Sequence, residues 1–188
     1  MDFRFSCTII TAYLNPRENG RMRQRVTAKQ ENSKMCLVCG LKNQFGLKAS
    51  FYELENEELM AVFRACEEHQ SYPGRVHGGI ATAILDETIG RAIRMKSDDF
   101  WGVTISFSTR FRQPVPIGEE LRVIGRIDHI GNRFFEGTGE ILLKDGSVAV
   151  EGKGKFIKLP LESIADFDEE EQEWRVVPDS ADPEYVEY

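Results

Sequence analysis

Leu47, Ala49 and Phe51 alternate with Lys48, Ser50 and Tyr52, the two-residue period of a half-buried strand. Glu55-Asn56-Glu57-Glu58 then turns the chain, and Leu59 to Cys66 returns as a second strand, which makes a hairpin. A loop from His69 to Val76, with Pro73-Gly74 inside it, leads into a change of period. From about Gly79 to Met95 the apolar positions follow a helix: Ala81, Ile84, Leu85, Ile89, Ala92 and Ile93 share one broad face, and Glu87, Arg91 and Arg94 share the opposite one.

The period of two then resumes. Val103, Ile105, Phe107, Thr109 and Phe111 alternate with polar residues up to Pro114-Val115-Pro116, where a ladder cannot continue. Strands follow over Leu121–Ile130, Phe134–Leu143 and Val148–Ile157, separated by the turn signals Gly131-Asn132 and Asp145-Gly146. Short turns make these last strands antiparallel neighbours in a four-strand meander. Gly125, Gly137, Gly139, Gly152 and Gly154 mark where a sheet curls closely round a helix or bulges. The expected fold is therefore α+β: a six-stranded antiparallel sheet wrapped around one long central helix. Its outer face must be solvated or covered by another copy.

Composition adds boundaries. A chain of 188 residues, 41% hydrophobic and 29% charged, is one domain with extensions. Residues 1–34 carry a net charge of +4, residues 161–188 a net of -10, and the middle -1, against -7 for the whole. We therefore expect a basic N-terminal extension (1–34, with turn signals at Asn15-Pro16 and Asn19-Gly20), a body (35–160) and a solvated acidic tail (161–188). Such a tail argues against nucleic acid as partner. No apolar run reaches the roughly 18 to 20 residues of a membrane span, and MDFRFSCTIITAYL makes a poor export signal. A cytoplasmic protein with no membrane partner is expected, in which Cys7, Cys36, Cys39 and Cys66 are not needed as disulfides.

The chemistry concentrates in Gly74–Gly90, GRVHGGIATAILDETIG. Gly78 and Gly79 let a ligand approach the backbone, and the first turn of a helix offers unpaired N–H groups to a developing oxyanion. Two acids follow. Glu87 projects beside Arg91 at i+4, the arrangement of a surface ion pair. Asp86 borders the apolar face near Ala83 and Gly90, where poor solvation raises a carboxyl's pKa and its value as a base. His77 is placed either to cap the helix or to meet a carbonyl. Strand alternation puts Thr104 opposite Val103 and Ile105, so it reaches such a site only through a strand bend or a second copy. Cys36-x-x-Cys39 and Cys66-x-x-His69 have zinc-ligand spacing, with small buried residues as the alternative role.

His77-Gly78-Gly79 with Asp86, supported by TISFSTRFRQPVPIGEEL, resembles the hotdog-fold acyl-CoA thioesterases, the group that includes phenylacetate-pathway thioesterases and human thioesterase superfamily members. The resemblance covers roughly residues 36–158. It implies an acyl-CoA substrate, no metal or redox cofactor, and a homodimer or homotetramer with active sites at the subunit interface. It assigns Asp86 as base or nucleophile, the Gly78 N–H (with Gly79 beside it) to the thioester carbonyl, His77 near that carbonyl, and Thr104 to a position that relatives fill from the partner subunit. Where relatives often place Asn or Gln six residues before the histidine, this chain has Ser71, next to Gln70. Arg110 and Arg112, with Lys153 and Lys155, alternate on strands and are candidates for CoA phosphates. Phe134, Phe135 and Trp101 are candidates for an acyl channel, with core packing as the default role. The expected activity is hydrolysis of acyl-CoA to free acid and CoA. Its rivals are a non-catalytic acyl-CoA or lipid-binding module and a hotdog dehydratase, whose His-Phe-Pro context is absent here.

Overall fold

The computed structural model describes residues 17–18, 21–166 and 168–188. The N-terminal apolar patch, Cys7 and the two early turn signals lie outside them. The strands are β1 (Arg17–Glu18), β2 (Arg21–Lys29), β3 (Ser50–Leu54), β4 (Leu59–Arg64), β5 (Trp101–Phe111), β6 (Glu120–Ile130), β7 (Phe134–Leu142), β8 (Val148–Leu159) and β9 (Tyr185–Glu187). The helix α1 (Gly78–Arg91) continues into a 3₁₀ turn at Ala92–Met95. The sheet order is β1-β2-β3-β4-β6-β7-β8-β5, with β9 on β2, and the pairings between named strands are antiparallel. The expected six strands are β3 to β8, and the chain's two extensions add the other three.

The sheet closes on the predicted helix face. Ala81, Ile84, Leu85, Ile89, Ala92 and Ile93 are all buried, with Phe51, Leu59, Val123, Phe135, Ile141 and Phe156 packed from the sheet side. Close approach needs glycine: a Cβ at Gly137 would sit 2.7 Å from Ile89 Cγ2, and one at Gly139 3.0 Å from Ile89 Cγ1. No helix among the described residues is long and apolar enough to cross a membrane.

Two expectations about β5 change. It does not lead into a meander; only β6, β7 and β8 do, and β5 pairs with β8 at the far edge. Pro114 and Pro116 end the strand, and the next residues run beside the loop before α1, where the Val76 N–H bonds Val115 O at 2.9 Å and the Gly118 N–H bonds Ala65 O at 2.7 Å. The chain thus crosses to β4 before β6 begins. The alternation is also wrong at the start of β5. Its register with β8 slips between Thr104 and Ser106, a β-bulge at Ile105. Thr104 stands opposite Phe156 and Phe107 opposite Gly154, so both face the helix, while Val103 and Ile105 face away and Ile105 is 52% exposed.

The acidic tail, expected in solvent, is folded onto the body. Val186 joins Tyr52, Leu54, Met60 and Ile124 in a second cluster on the outer face of the sheet. Asp182 meets Lys29 Nζ at 2.6 Å and accepts from the Tyr52 hydroxyl at 2.8 Å, and the Tyr188 hydroxyl donates to Glu58. Opposite charge in the two extensions thereby becomes contact: β9 carries Glu187 and Tyr185 alongside Arg23 and Arg25 of β2.

Candidate active site

His77 is the N-cap of α1. Its backbone is extended, at φ -63 and ψ 136, and its Nδ1 accepts the Gly79 N–H at 2.9 Å. The His77 carbonyl takes the N–H groups of Ile80 and Ala81. Among the described residues nothing accepts from the Gly78 N–H, so Gly78 keeps the free donor of this turn and Gly79 does not. Phe111 lies over it: a Cβ at Gly78 would come 3.3 Å from the ring's Cζ, and the residue is 53% exposed. The pattern of β5 marks Phe111 as an inward core residue; its place beside Gly78 depends on how the strand end meets α1, which alternation does not encode.

The loop that delivers this turn is stapled by His69. Its Nδ1 accepts the Cys66 N–H at 3.0 Å, its Nε2 lies 2.8 Å from Phe45 O and therefore donates, and its carbonyl accepts the His77 N–H at 2.8 Å. Both ring nitrogens are thus in use. Cys66 Sγ is 3.3 Å from Nδ1, and the pair stays apart from Cys36 and Cys39, so the four candidate zinc ligands do not converge. The three that gather are Cys36, Cys39 and Glu87, within 4.8 Å of one another. Ser71 is exposed and its backbone pairs with Arg75; no contact carries it to His77 or Asp86. Gln70 instead holds the turn, its Oε1 accepting the Gly74 N–H at 3.2 Å, with Gly74 at φ +77.

Asp86 is half-buried on α1, and Oδ1 accepts the Thr104 hydroxyl at 2.8 Å. Burial pushes its carboxyl above the usual range, the Thr104 hydrogen bond pulls it back, and the neighbouring Glu87 charge pushes it up again; the net is upward. The bulge at Ile105 is the strand bend that turns Thr104 toward the helix, and within one chain its hydroxyl meets Asp86.

Glu87 is separated from this site as expected, but not as a surface pair. Its Oε1 meets Arg91 Nε at 2.8 Å, and Arg91 is only 4% exposed. The guanidinium lies between the rings of Phe51 and Trp174, 4.4 and 4.9 Å from their centroids, and also donates to Glu31 O and Cys39 Sγ. Trp174 comes from the tail, which is why the exposed-face reading of Arg91 fails.

The phosphate candidates divide. Arg112 is engaged with both oxygens of Glu151, at 2.9 and 3.1 Å, and Lys153 and Lys155 lie 4.0 and 3.6 Å from Glu136. Arg110 is exposed with no ion-pair or hydrogen-bond partner among the described residues. Phe135 stacks on Phe156 in the core and Trp101 packs edge-on to Trp174, whereas Phe134 is 37% exposed.

Residues 73–150, which hold this helix and the strands β5, β6 and β7, match the family model of the thioesterase superfamily. A solved thioesterase superfamily protein is 28% identical, with a TM-score of 0.60 over 65% of this chain and 59% of that one, so this chain spans under two thirds of that relative. A thioesterase from Haemophilus influenzae is 13% identical, with a TM-score of 0.58 over 65% of this chain and 86% of that one. A protein from Streptococcus mutans, solved bound to acetyl CoA, is 17% identical, with a TM-score of 0.51 over 55% and 82%. The helix and the sheet that encloses it have the hotdog fold, and residues 73–150 are similar to the thioesterase superfamily.

Proposed function

We propose that the protein hydrolyses acyl-CoA thioesters to free acid and CoA. The observation that carries this reading is the half-buried Asp86, held by Thr104, on the same helix whose first turn leaves the Gly78 N–H free. A carboxylate with a raised pKa suits a base that activates water, or a nucleophile that attacks the carbonyl and passes through an anhydride. The Gly78 N–H, with the positive end of the helix dipole behind it, suits the oxyanion that forms when the carbonyl is attacked. His77 orients that turn through Gly79, and exposed Phe111 offers apolar surface to the acyl group. The acetyl CoA found on the Streptococcus mutans protein supports the ligand class, and Arg110 is the free cation on β5 for its phosphates.

One chain does not complete the site. Gly78 and Asp86 are eight residues apart, about 12 Å along a helix, whereas a thioester carbon must be within about 3 Å of both its nucleophile and the oxyanion donor's reach. The reading therefore pairs Asp86 of one chain with Gly78 of a second. β5 suits the joint: it lies at the edge of the sheet, spans eleven residues and exposes Ile105 and Phe111.

Thiol release from a panel of short, long and aromatic acyl-CoAs tests the function. Asp86→Asn should lower kcat by about 10²- to 10⁴-fold, with the fold intact, and Glu87→Gln should leave kcat largely unchanged. No thiol release from any member, with tight binding of one, would establish a binding module instead.

A further inference from the structure

We propose that Cys36 and Cys39 are a redox-active dithiol that closes reversibly to a disulfide by exchange with small-molecule disulfides. The cysteines form one turn, closed by the Gly40 N–H on Cys36 O at 2.9 Å. Gly40 is required there, since a Cβ would come 2.3 Å from Cys36 O. Cys36 Sγ lies over the amino end of the turn, accepting from the N–H groups of Val38 and Cys39 at 3.2 and 3.5 Å. Cys39 Sγ faces inward, 3.2 Å from an Arg91 Nη and 3.3 Å from Ser33 Oγ. The two sulfurs are within 4.8 Å.

Access is divided between them as exchange requires. Cys36 is half-buried between the exposed Met35 and Leu37, and Cys39 is 0% exposed. The charge is divided too. The Cys36 hydrogen bond and Arg91 outweigh burial and bring the Cys39 thiol down to about 6, so the pair carries one thiolate at neutral pH. Cys36 is pushed up by its bond to Cys39, by burial and by Glu87, because a second anion would form beside the first.

The step balances with the disulfide RSSR as oxidant. Cys36 passes its proton to the Cys39 thiolate, attacks one sulfur of RSSR and releases RS⁻. That thiolate takes the proton back from Cys39, leaving as RSH. Cys39 then attacks Cys36 Sγ and expels the second RS⁻, so two electrons have moved from the protein dithiol to RSSR. A metal is the poorer occupant: Glu87 would be the third ligand, but its Oε1 already meets Arg91, whose fixed charge also lies on Cys39.

The test uses the full chain with Cys7→Ser and Cys66→Ser, equilibrated against glutathione and its disulfide and read by intact mass under native conditions. The expected result is a loss of two hydrogens per chain, with no disulfide between chains, reversed by dithiothreitol. With Cys39→Ser added, a mixed glutathione disulfide at Cys36 accumulates; with Cys36→Ser added, neither product forms. A parent chain that never loses two hydrogens, or that holds one zinc per chain released by a thiol reagent, overturns the proposal. The parent chain's mass reads the disulfide directly, so the outcome does not depend on whether Cys39→Ser folds.

Discussion

Asp86 and Thr104 form the smallest unit on which the proposed chemistry rests. Burial raises the carboxyl and the Thr104 hydroxyl lowers it, so the two oppose each other on one group. Activity that needs the ionised form falls as pH drops through this pKa. Thr104→Val removes the lowering contribution, so the acid limb of the kcat profile should move to higher pH, with the plateau above it largely kept. An unmoved limb would mean that another group titrates there. At this scale the ranking of the two acids was legible, because Asp86 and Glu87 are 100° apart on a helix and only one borders the apolar stripe. Thr104 was legible only as an alternative, since one extra residue at Ile105 turns it inward. The burial of Arg91 was not legible at all, because it depends on Phe51 and Trp174, 40 and 83 positions away in the sequence.

Among the elements, α1 and the paired strands β3 with β4 and β6 through β8 follow from period and turn chemistry alone. What periodicity cannot supply is order in the sheet. β5 has the same two-residue period beside β8 as it would have beside β6, and only the connection past the loop before α1 decides between them. The contact between α1 and β5 is also where the fold is least forgiving. A Cβ at Gly102 would lie 2.7 Å from Phe135 Cζ and 2.8 Å from Gly90 O. Phe135 is buried and stacked, so neither neighbour can yield easily. Gly102→Ala should cost about 1–3 kcal/mol of stability, measured by urea unfolding, and should lower kcat by displacing Thr104 two residues on. Parent-like unfolding would show that β5 can move away from α1 without loss.

For the whole molecule, the tail is part of the fold rather than a solvated appendage. Its composition points to water, but Trp174, Asp182, Val186 and Tyr188 each find a partner in the body. Removing residues 161–188 uncovers the buried Arg91 and the outer cluster, and should lower Tm by about 5 °C or more; an unchanged Tm would show those contacts to be incidental. The two-chain site is the larger claim, and a mixed dimer reads it directly. Asp86→Asn is paired by co-expression with Gly78→Pro, which removes the N–H at a helix position that accepts proline and sets a ring against Phe111, and differently tagged mixed dimers are isolated. Each parent homodimer of these variants should be inactive, and the mixed dimer, which reunites one Asp86 with one Gly78 across the interface, should release thiol from acyl-CoA at about half the rate of the unsubstituted protein. A mixed dimer as inactive as its two parents would contradict the shared site.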